Sequence, residues 1–170
     1  KWAKRRSASF DRVLVDAPCS GTGTWRRNPD ARLRTTQQDL EELLVKQAQI
    51  LDKAATLVKP GGRLVYATCS ILNAENSDQI DAFLKRNKRF QIGPSDSDAL
   101  PESLKNTSMF ALTPFKNETD GFLPRFLSAA LKLKRLKIKN KILVCFASPL
   151  CIKPVEIFFL NSIIYKSAVI

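Results

Sequence analysis

Hydrophobic positions in the first ninety residues follow two patterns, short apolar runs and one long stripe at helical spacing. The β-branched run over residues 10–16 predicts a buried strand that ends at Asp16. Beyond Thr36, apolar residues recur at steps of three and four, which predicts a single amphipathic helix. Its stripe comprises Leu40, Leu43, Leu44, Ala48, Leu51, Ala55 and Val58. Pro60 and the two glycines that follow it are expected to end this helix.

A second apolar run, over residues 63–68, predicts another buried strand. Asn73 is expected to cap the helix that comes next. The inner face of that helix carries Ile80, Phe83 and Leu84. The polar stretch 93–106 is rich in Pro, Ser and Asp and predicts a loop. Strand, helix, strand and helix at this spacing predict a parallel sheet in an α/β domain.

Length and charge limit the number of domains and the kind of partner. With 170 residues, 44% of them hydrophobic, the chain can bury the core of one domain. The net charge of +12 favours a polyanionic partner, nucleic acid before an anionic membrane. Most of this charge lies in residues 121–170, where nine Lys or Arg stand against one acid, so residues 1–120 carry only +4.

The cysteine content narrows the chemistry further. The chain has no histidine, and its four cysteines are Cys19, Cys69, Cys145 and Cys151. Since no secretion signal precedes them, reduced thiols in a cytoplasmic protein are expected. No pair has the C-x-x-C spacing, so no metal site is expected. The apolar stretch 155–170 is too short and too often interrupted to span a membrane, and no membrane partner is expected.

Two of the cysteines are expected to meet at one edge of the predicted sheet. Cys19 follows the first strand in the run Asp-Ala-Pro-Cys, and Cys69 follows the second strand in Thr-Cys-Ser. Ligands of open α/β sheets bind outside the carboxyl ends of the strands. The sequence therefore predicts a pair of thiols at the ligand crevice.

The residues around these cysteines resemble a known enzyme family. Residues 16–23, Asp-Ala-Pro-Cys-Ser-Gly-Thr-Gly, and 66–70, Tyr-Ala-Thr-Cys-Ser, are similar to the two cysteine motifs of the Sun-type, RsmB-like RNA 5-methylcytosine methyltransferases. The similarity runs from about Phe10 to Phe90. A DNA cytosine methyltransferase would use the Pro-Cys cysteine as its nucleophile and leave Cys69 without a role, so the pair favours RNA.

The resemblance implies an α/β fold, the partial sheet of a class I (Rossmann-like) methyltransferase, with S-adenosylmethionine as methyl donor and RNA, expected to be ribosomal RNA, as substrate. It implies that Cys69 is the nucleophile that attacks carbon 6 of the target cytosine. Cys19 would assist release of the methylated base. Asp16 would contact the cofactor or the base, and Pro18 would shape the floor of that pocket.

A cluster of arginines follows the first cysteine motif and admits two interpretations. The residues are Arg26, Arg27 and Arg32, within a run that also matches the family pattern. They either grip RNA phosphates or form a solvated surface. The sequence alone does not choose between the two.

Two departures from the family pattern limit what the chain is expected to do. A glycine-rich cofactor loop should precede the cysteine motifs, yet the first glycine is Gly21, so the N-terminal cofactor-binding half is expected to be missing and the chain to be inactive alone. Residues 1–122 are expected to be the C-terminal part of the catalytic domain, and 123–170 a divergent basic tail, disordered or frameshifted. Pro124 is expected to disturb the family's last strand. The alternative function is a non-catalytic, basic RNA-binding remnant, and the oligomeric state is not predicted.

Overall fold

The computed structural model describes residues 3–93, 120–121, 123–129, 142–146 and 154–156, together with Leu112 and Phe115. Parts of three predictions lie outside these residues: most of the predicted loop 93–106, residues 130–141, 147–153 and 157–170 of the basic tail, which include Cys151, and most of the apolar stretch 155–170. The described strands form one six-stranded sheet in the order β3-β4-β2-β1-β5-β6. Within the described residues, no helix has the length and apolarity that crossing a membrane requires.

The two predicted strands are confirmed and form the centre of the sheet. β1 spans Phe10–Asp16 and β2 spans Val58–Thr68. They pair in parallel, with Asp16 opposite Ala67. Valines 13 and 15 of β1 and Leu64 of β2 point into the core and are fully buried, as the β-branched runs predicted.

β2 begins five residues earlier than predicted, because the glycines after Pro60 form an irregular bulge instead of a separate turn. The register passes from Phe10 opposite Val58 to Arg12 opposite Arg63, so four residues of β2 bulge opposite a single residue of β1. Gly61 has φ = 75°, which an L side chain rarely adopts. The adjoining Lys59 forms an ion pair with Asp11 at 2.9 Å.

The remaining strands make the sheet mixed, whereas the sequence predicted a parallel one. β5 (Ile142–Phe146) is parallel to β1, and β6 (Pro154–Glu156) is antiparallel to β5. β4 (Leu123–Ala129) pairs antiparallel with both β2 and the short β3 (Phe90–Ile92). The expected disturbance at Pro124 is not observed: the strand forms around it, with Pro124 in register with Ala67.

The two longer helices lie where the periodicity predicted them, the short helix before them was not predicted, and Val58, which was expected on the helical stripe, begins β2. α1 spans Pro29–Arg34 and α2 spans Gln37–Leu57. A capping box starts α2, because Thr36 accepts the Asp39 N–H and the Asp39 carboxylate accepts the Thr36 N–H. Asn73 does not cap the next helix. It begins a single 3₁₀ turn, Asn73–Glu75, and α3 (Ser77–Arg86) starts after Asn76.

The core lies between one face of the sheet and helices α2 and α3. Its largest members come from both layers, and all but Leu127 belong to the helices and apolar runs that the sequence predicted. They are Val13, Val15, Leu51, Leu64, Tyr66, Ile80, Phe83 and Leu127. The rings of Phe83 and Phe90 lie 5.4 Å apart, which closes the core beside β3.

Candidate active site

The cysteines Cys19 and Cys69 come together at the carboxyl edge of the sheet. Because β1 and β2 are parallel and Asp16 lies opposite Ala67, the segments that follow them leave the sheet side by side. The Ala17 N–H donates to the Ala67 carbonyl at 2.9 Å, which continues the pairing beyond β1. The Cys19 thiol is itself within hydrogen-bonding reach of the Cys69 backbone. Both thiols are free and partly exposed.

Three chain segments meet directly behind Cys69. The Gly23 N–H donates to the Cys69 carbonyl at 2.9 Å, and the Gly121 N–H donates to the Gly23 carbonyl at 2.8 Å. A Cβ on Gly23 would lie 2.7 Å from the Gly121 Cα and 2.8 Å from the Cys69 carbonyl oxygen. The site therefore needs glycine at position 23 for a close approach of backbones.

Hydroxyl groups join the two cysteine segments further. Thr22 Oγ1 accepts the Ile71 N–H at 2.9 Å and lies 3.0 Å from Ser70 Oγ. Ser70 Oγ in turn accepts the Leu72 N–H at 3.1 Å. These bonds satisfy backbone donors that the end of β2 leaves without ladder partners.

Asn76 shapes the turn that carries Cys69. Its side-chain amide donates to the carbonyls of Ser70 at 2.9 Å and Leu72 at 2.7 Å, and its Oδ1 accepts the Thr68 hydroxyl at 2.7 Å. Asn76 and Thr68 are both buried. The turn is therefore held from both ends by one buried side chain.

The carboxylate of Glu75 is buried and lies against Ser20, the residue after Cys19. Its oxygens accept the Ser20 N–H at 2.8 Å, the Ser20 hydroxyl at 2.5 Å and the Gln47 amide at 2.9 Å. The same Gln47 amide donates to the Pro18 carbonyl at 2.9 Å. Pro18 thus contributes a fixed carbonyl immediately before Cys19.

The two thiols differ in the charges around them. Burial raises the pKa of Cys19 to about 11, and the charges of Glu75 and Cys69 act in the same direction against its backbone hydrogen bonds. Burial also raises the pKa of Cys69 above its usual value, as do the carboxylates of Asp16 and Asp120, whereas the guanidinium of Arg27 lowers it. Anions therefore disfavour the thiolate at both positions, and among the described residues a cation acts against them at Cys69.

The acidic and basic residues of the prediction lie at different distances from the thiols. Asp16 ends β1, is partly buried, and has a pKa raised by that burial. Arg26, Arg27 and Arg32 are exposed, and Arg27 forms an ion pair with Asp120 next to Cys69. The structure therefore brings Arg27 to the site and leaves Arg26 and Arg32 on the adjoining surface.

An open pocket of about 350 Å³ lies beside Cys19. Its walls come from the first cysteine segment and from the junction of α1 and α2. The lining residues are Cys19, Ser20, Ala31, Arg34, Thr35, Asp39 and Leu43. Its volume falls within the range of small-ligand pockets. Among the described residues, no group of three or more Cys, Asp or Glu is placed to hold a metal ion.

Gln47 and Glu75 were not predicted as site residues from the sequence. Gln47 offered a usable signal, since it lies four residues after Leu43 and four before Leu51, on the apolar stripe. A fully buried polar residue on such a stripe needs a partner. Nothing in the sequence indicated that this partner would be Glu75.

Comparison with known proteins identifies the family. The model of the family described as 16S rRNA methyltransferase RsmB/F matches residues 1–131. The chain belongs to this family. Ribosomal RNA small subunit methyltransferase B of Shewanella oneidensis is 46% identical over 114 residues, which is 66% of this chain and 26% of that relative. The chain thus spans about a quarter of the length of the curated relative that it matches.

Solved structures agree with the RsmB/F family assignment. NSun6 from Pyrococcus horikoshii, solved with SFG, matches 68% of this chain and 29% of its own, with 25% identity and a TM-score of 0.55. A methyltransferase homologue from Pyrococcus horikoshii matches 71% of this chain and 39% of its own, with 28% identity and a TM-score of 0.50. The α/β sheet of this RsmB/F chain therefore has methyltransferases as structural neighbours.

Proposed function

We propose that this RsmB/F chain carries the thiol chemistry of an S-adenosylmethionine-dependent methyltransferase that modifies carbon 5 of cytosine in ribosomal RNA. The observation that carries the proposal is the placement of Cys19 and Cys69 side by side at the carboxyl edge of the sheet, with the Cys19 thiol within hydrogen-bonding reach of the Cys69 backbone. The name of the Shewanella relative supports ribosomal RNA as the substrate.

The reaction needs a nucleophile because carbon 5 of cytosine does not attack a methyl group unaided. In the proposed mechanism, the Cys69 thiolate bonds to carbon 6, and the electron pair of the 5,6 double bond moves toward carbon 5. Carbon 5 then takes the methyl group that S-adenosylmethionine would supply, and the donor would leave as a neutral thioether. Transfer of the carbon 5 proton to water restores the double bond and expels the Cys69 thiolate, and Cys19 assists this release.

The environments of the two thiols support Cys69 as the attacking thiol. Burial raises the pKa of both thiols, that of Cys19 to about 11, and Glu75 adds to the rise at Cys19. At Cys69 the carboxylates of Asp16 and Asp120 also raise the pKa, but the guanidinium of Arg27 acts against them. A thiolate is the reactive form of cysteine, so the cation beside Cys69 supports attack by that thiol. Arg26, Arg27 and Arg32 are exposed beside it and are proposed to bind RNA phosphates.

The residues at the end of β1 fit a cationic cofactor. The Asp16 carboxylate is partly buried at the strand end and makes no hydrogen bond to any residue that the structure describes, so it can accept one from a ligand. Asp16 and Pro18 are the proposed contacts for S-adenosylmethionine, which supplies an electrophilic methyl group. The SFG ligand in the solved NSun6 structure, an analogue of this cofactor, supports the same chemistry.

A covalent trap tests the proposal. A chimera in which residues 10–90 of this chain replace the matching segment of the Shewanella relative would be incubated with S-adenosylmethionine and RNA containing 5-fluorocytosine, which blocks the final proton loss. We expect an adduct that survives denaturation and is lost in Cys69→Ala. For the control, the tail of this chain, which carries Cys151, would be fused to the same chimera. There Cys151→Ala should retain the adduct. A folded chimera that forms no adduct would overturn the proposal.

The second candidate, a non-catalytic RNA-binding remnant, is favoured by the net charge of +12. It predicts salt-dependent RNA binding by the chain and no adduct in the chimera. We further propose that the chain alone is inactive and binds S-adenosylmethionine weakly. Saturable binding of the cofactor to the isolated chain in calorimetry would contradict this.

A further inference from the structure

Glu75 is a buried carboxylate that the proposed reaction does not use. Its side chain is 0% exposed. Among the described residues, no Lys or Arg forms an ion pair with it, although burying an unpaired carboxylate costs several kcal/mol. Three donors offset that cost: the Ser20 N–H, the Ser20 hydroxyl and the Gln47 amide. All three donors lie at or next to the Cys19 segment.

Glu75 and Gln47 hold the residues on either side of Cys19 by hydrogen bonds. Glu75 holds Ser20, the residue after Cys19, through two hydrogen bonds. Gln47 donates to both the Pro18 carbonyl, just before Cys19, and Glu75 Oε1. We call Glu75 and Gln47, with these contacts, the carboxylate clamp.

The clamp is also fixed to the Cys69 segment. Glu75 belongs to the 3₁₀ turn that follows Cys69, and its carbonyl accepts the buried Tyr66 hydroxyl at 2.8 Å from the body of β2. A displacement of Glu75 would therefore move the Cys19 backbone relative to Cys69. The clamp couples the two thiol positions through one side chain.

Gln47 shows that the clamp is more than packing. Its Oε1 is buried without a hydrogen-bond partner among the described residues, which costs on the order of 1–3 kcal/mol. An apolar residue on the stripe of α2 would avoid that cost. The donors of the amide, which reach Pro18 and Glu75, account for a polar residue at this position.

We propose that Glu75 is a positioning residue, whose buried carboxylate holds the backbone around Cys19 against the Cys69 segment and places a negative charge beside the Cys19 thiol. This inference rests on the proposed function, in which the two thiols act in different steps. Burial raises the pKa of Cys19 to about 11 and the Glu75 charge acts in the same direction, so Cys19 does not compete with Cys69 for carbon 6 of the base. The ionisable groups that face the pair are Asp16, Asp120 and Arg27 at Cys69, and Glu75 at Cys19 with Tyr66 beside it.

The test measures thiol reactivity in the full chain, without RNA or cofactor. Alkylation rates of Cys19 and Cys69 would be followed separately by peptide mass spectrometry between pH 6 and 11. In Glu75→Gln, which keeps the shape and removes the charge, we expect Cys19 at pH 8 to react about three- to tenfold faster, since one pKa unit is a tenfold change in thiolate. Cys69 should stay within about twofold of the parent rate, a window well below that tenfold change.

Two further variants make the test decisive. Glu41→Gln makes the same change at an exposed position of α2 and should leave both profiles unchanged. Gln47→Leu keeps the Glu75 carboxylate but releases Pro18, and should also accelerate Cys19 selectively. It decides the matter if Glu75→Gln does not fold. Unchanged Cys19 rates in the folded variants, or equal acceleration of both thiols, would overturn the inference.

The outcome is independent of the covalent trap. Selective acceleration of Cys19 together with a failed trap would support the clamp and reject the proposed reaction. A successful trap with unchanged thiol profiles would support the reaction and reject the clamp.

Discussion

Gly23 and Gly121 pack backbone against backbone behind Cys69, with the Gly121 N–H donating to the Gly23 carbonyl at 2.8 Å. The contact joins the first cysteine segment to the residue that precedes the region of β4. A side chain at either position would force the two backbones apart.

Gly23→Ala is expected to destabilise the chain by about 3 kcal/mol, because its Cβ would overlap backbone atoms that cannot rotate away. The control is Gly21→Ala. There the new Cβ has ordinary space, 3.4 Å from Thr24 Oγ1, and only the left-handed backbone at φ = 67° is strained, for about 1–2 kcal/mol. Chemical denaturation measures both. Equal losses of stability in the two variants would contradict the close approach.

Arg27→Gln is expected to raise the pKa of Cys69, because it removes the cation that favours the thiolate. Asp120→Asn should lower that pKa, because it removes an anion. In alkylation profiles, the Cys69 midpoint therefore moves to higher pH in the first variant and to lower pH in the second. Arg12→Gln, an exposed arginine on β1, serves as the control. Shifts of the same sign in both site variants would refute the assignment.

Thr36→Ala is expected to cost roughly 0.5–2 kcal/mol of stability through loss of the capping box of α2.

The hydrogen bonds from Thr36 also lower the pKa of Asp39 below its ordinary 3.8. A lowered carboxyl pKa contributes stability that is present above pH 3.8 and is lost as the pH falls through the folded-state pKa. Asp39→Asn should thus be less stable than the parent at pH 6 and indistinguishable from it at strongly acidic pH. Thermal unfolding across that range measures the difference.

Replacing Arg26, Arg27 and Arg32 together by Gln is expected to weaken binding to single-stranded RNA. If each arginine neutralises one phosphate, the slope of log affinity against log salt falls by about 0.7 per residue. A matched control removes the same charge elsewhere, by Gln at the exposed Lys53, Lys85 and Lys88. Equal salt slopes for the two triple variants would mean that the arginines form an ordinary solvated surface.

Much of the fold could be predicted from local sequence patterns. The strand at residues 10–16, the long helix after Thr36 and the buried face of α3 are each determined by the spacing of apolar residues. The start of α3 could not be predicted, because Asn73 and Asn76 are both of a residue type that caps helices. In the structure Asn73 begins the preceding 3₁₀ turn, and α3 starts after Asn76, whose side chain holds the Cys69 turn.

The order of the strands in the sheet could not be predicted from local sequence patterns. Nothing local indicates that β4 inserts between β2 and β3 in antiparallel orientation, since this pairing joins residues that lie far apart in the chain. The predicted boundary after residue 122 remains a proposal, and the family model extends to residue 131. Cys145 lies on β5, and its role stays open.

The sequence by itself determined the family, the two cysteine motifs and their position after parallel strands, because these depend on residues adjacent in the chain. The tertiary structure alone decided the partners of the thiols. Gln47 and Glu75 are 28 residues apart in the chain, and Glu75 and Ser20 are 55 apart. Hydrogen bonds at such separations leave no periodicity in the sequence, and only the packing of α2 and the Cys69 turn against β1 and β2 brings the donors to the carboxylate.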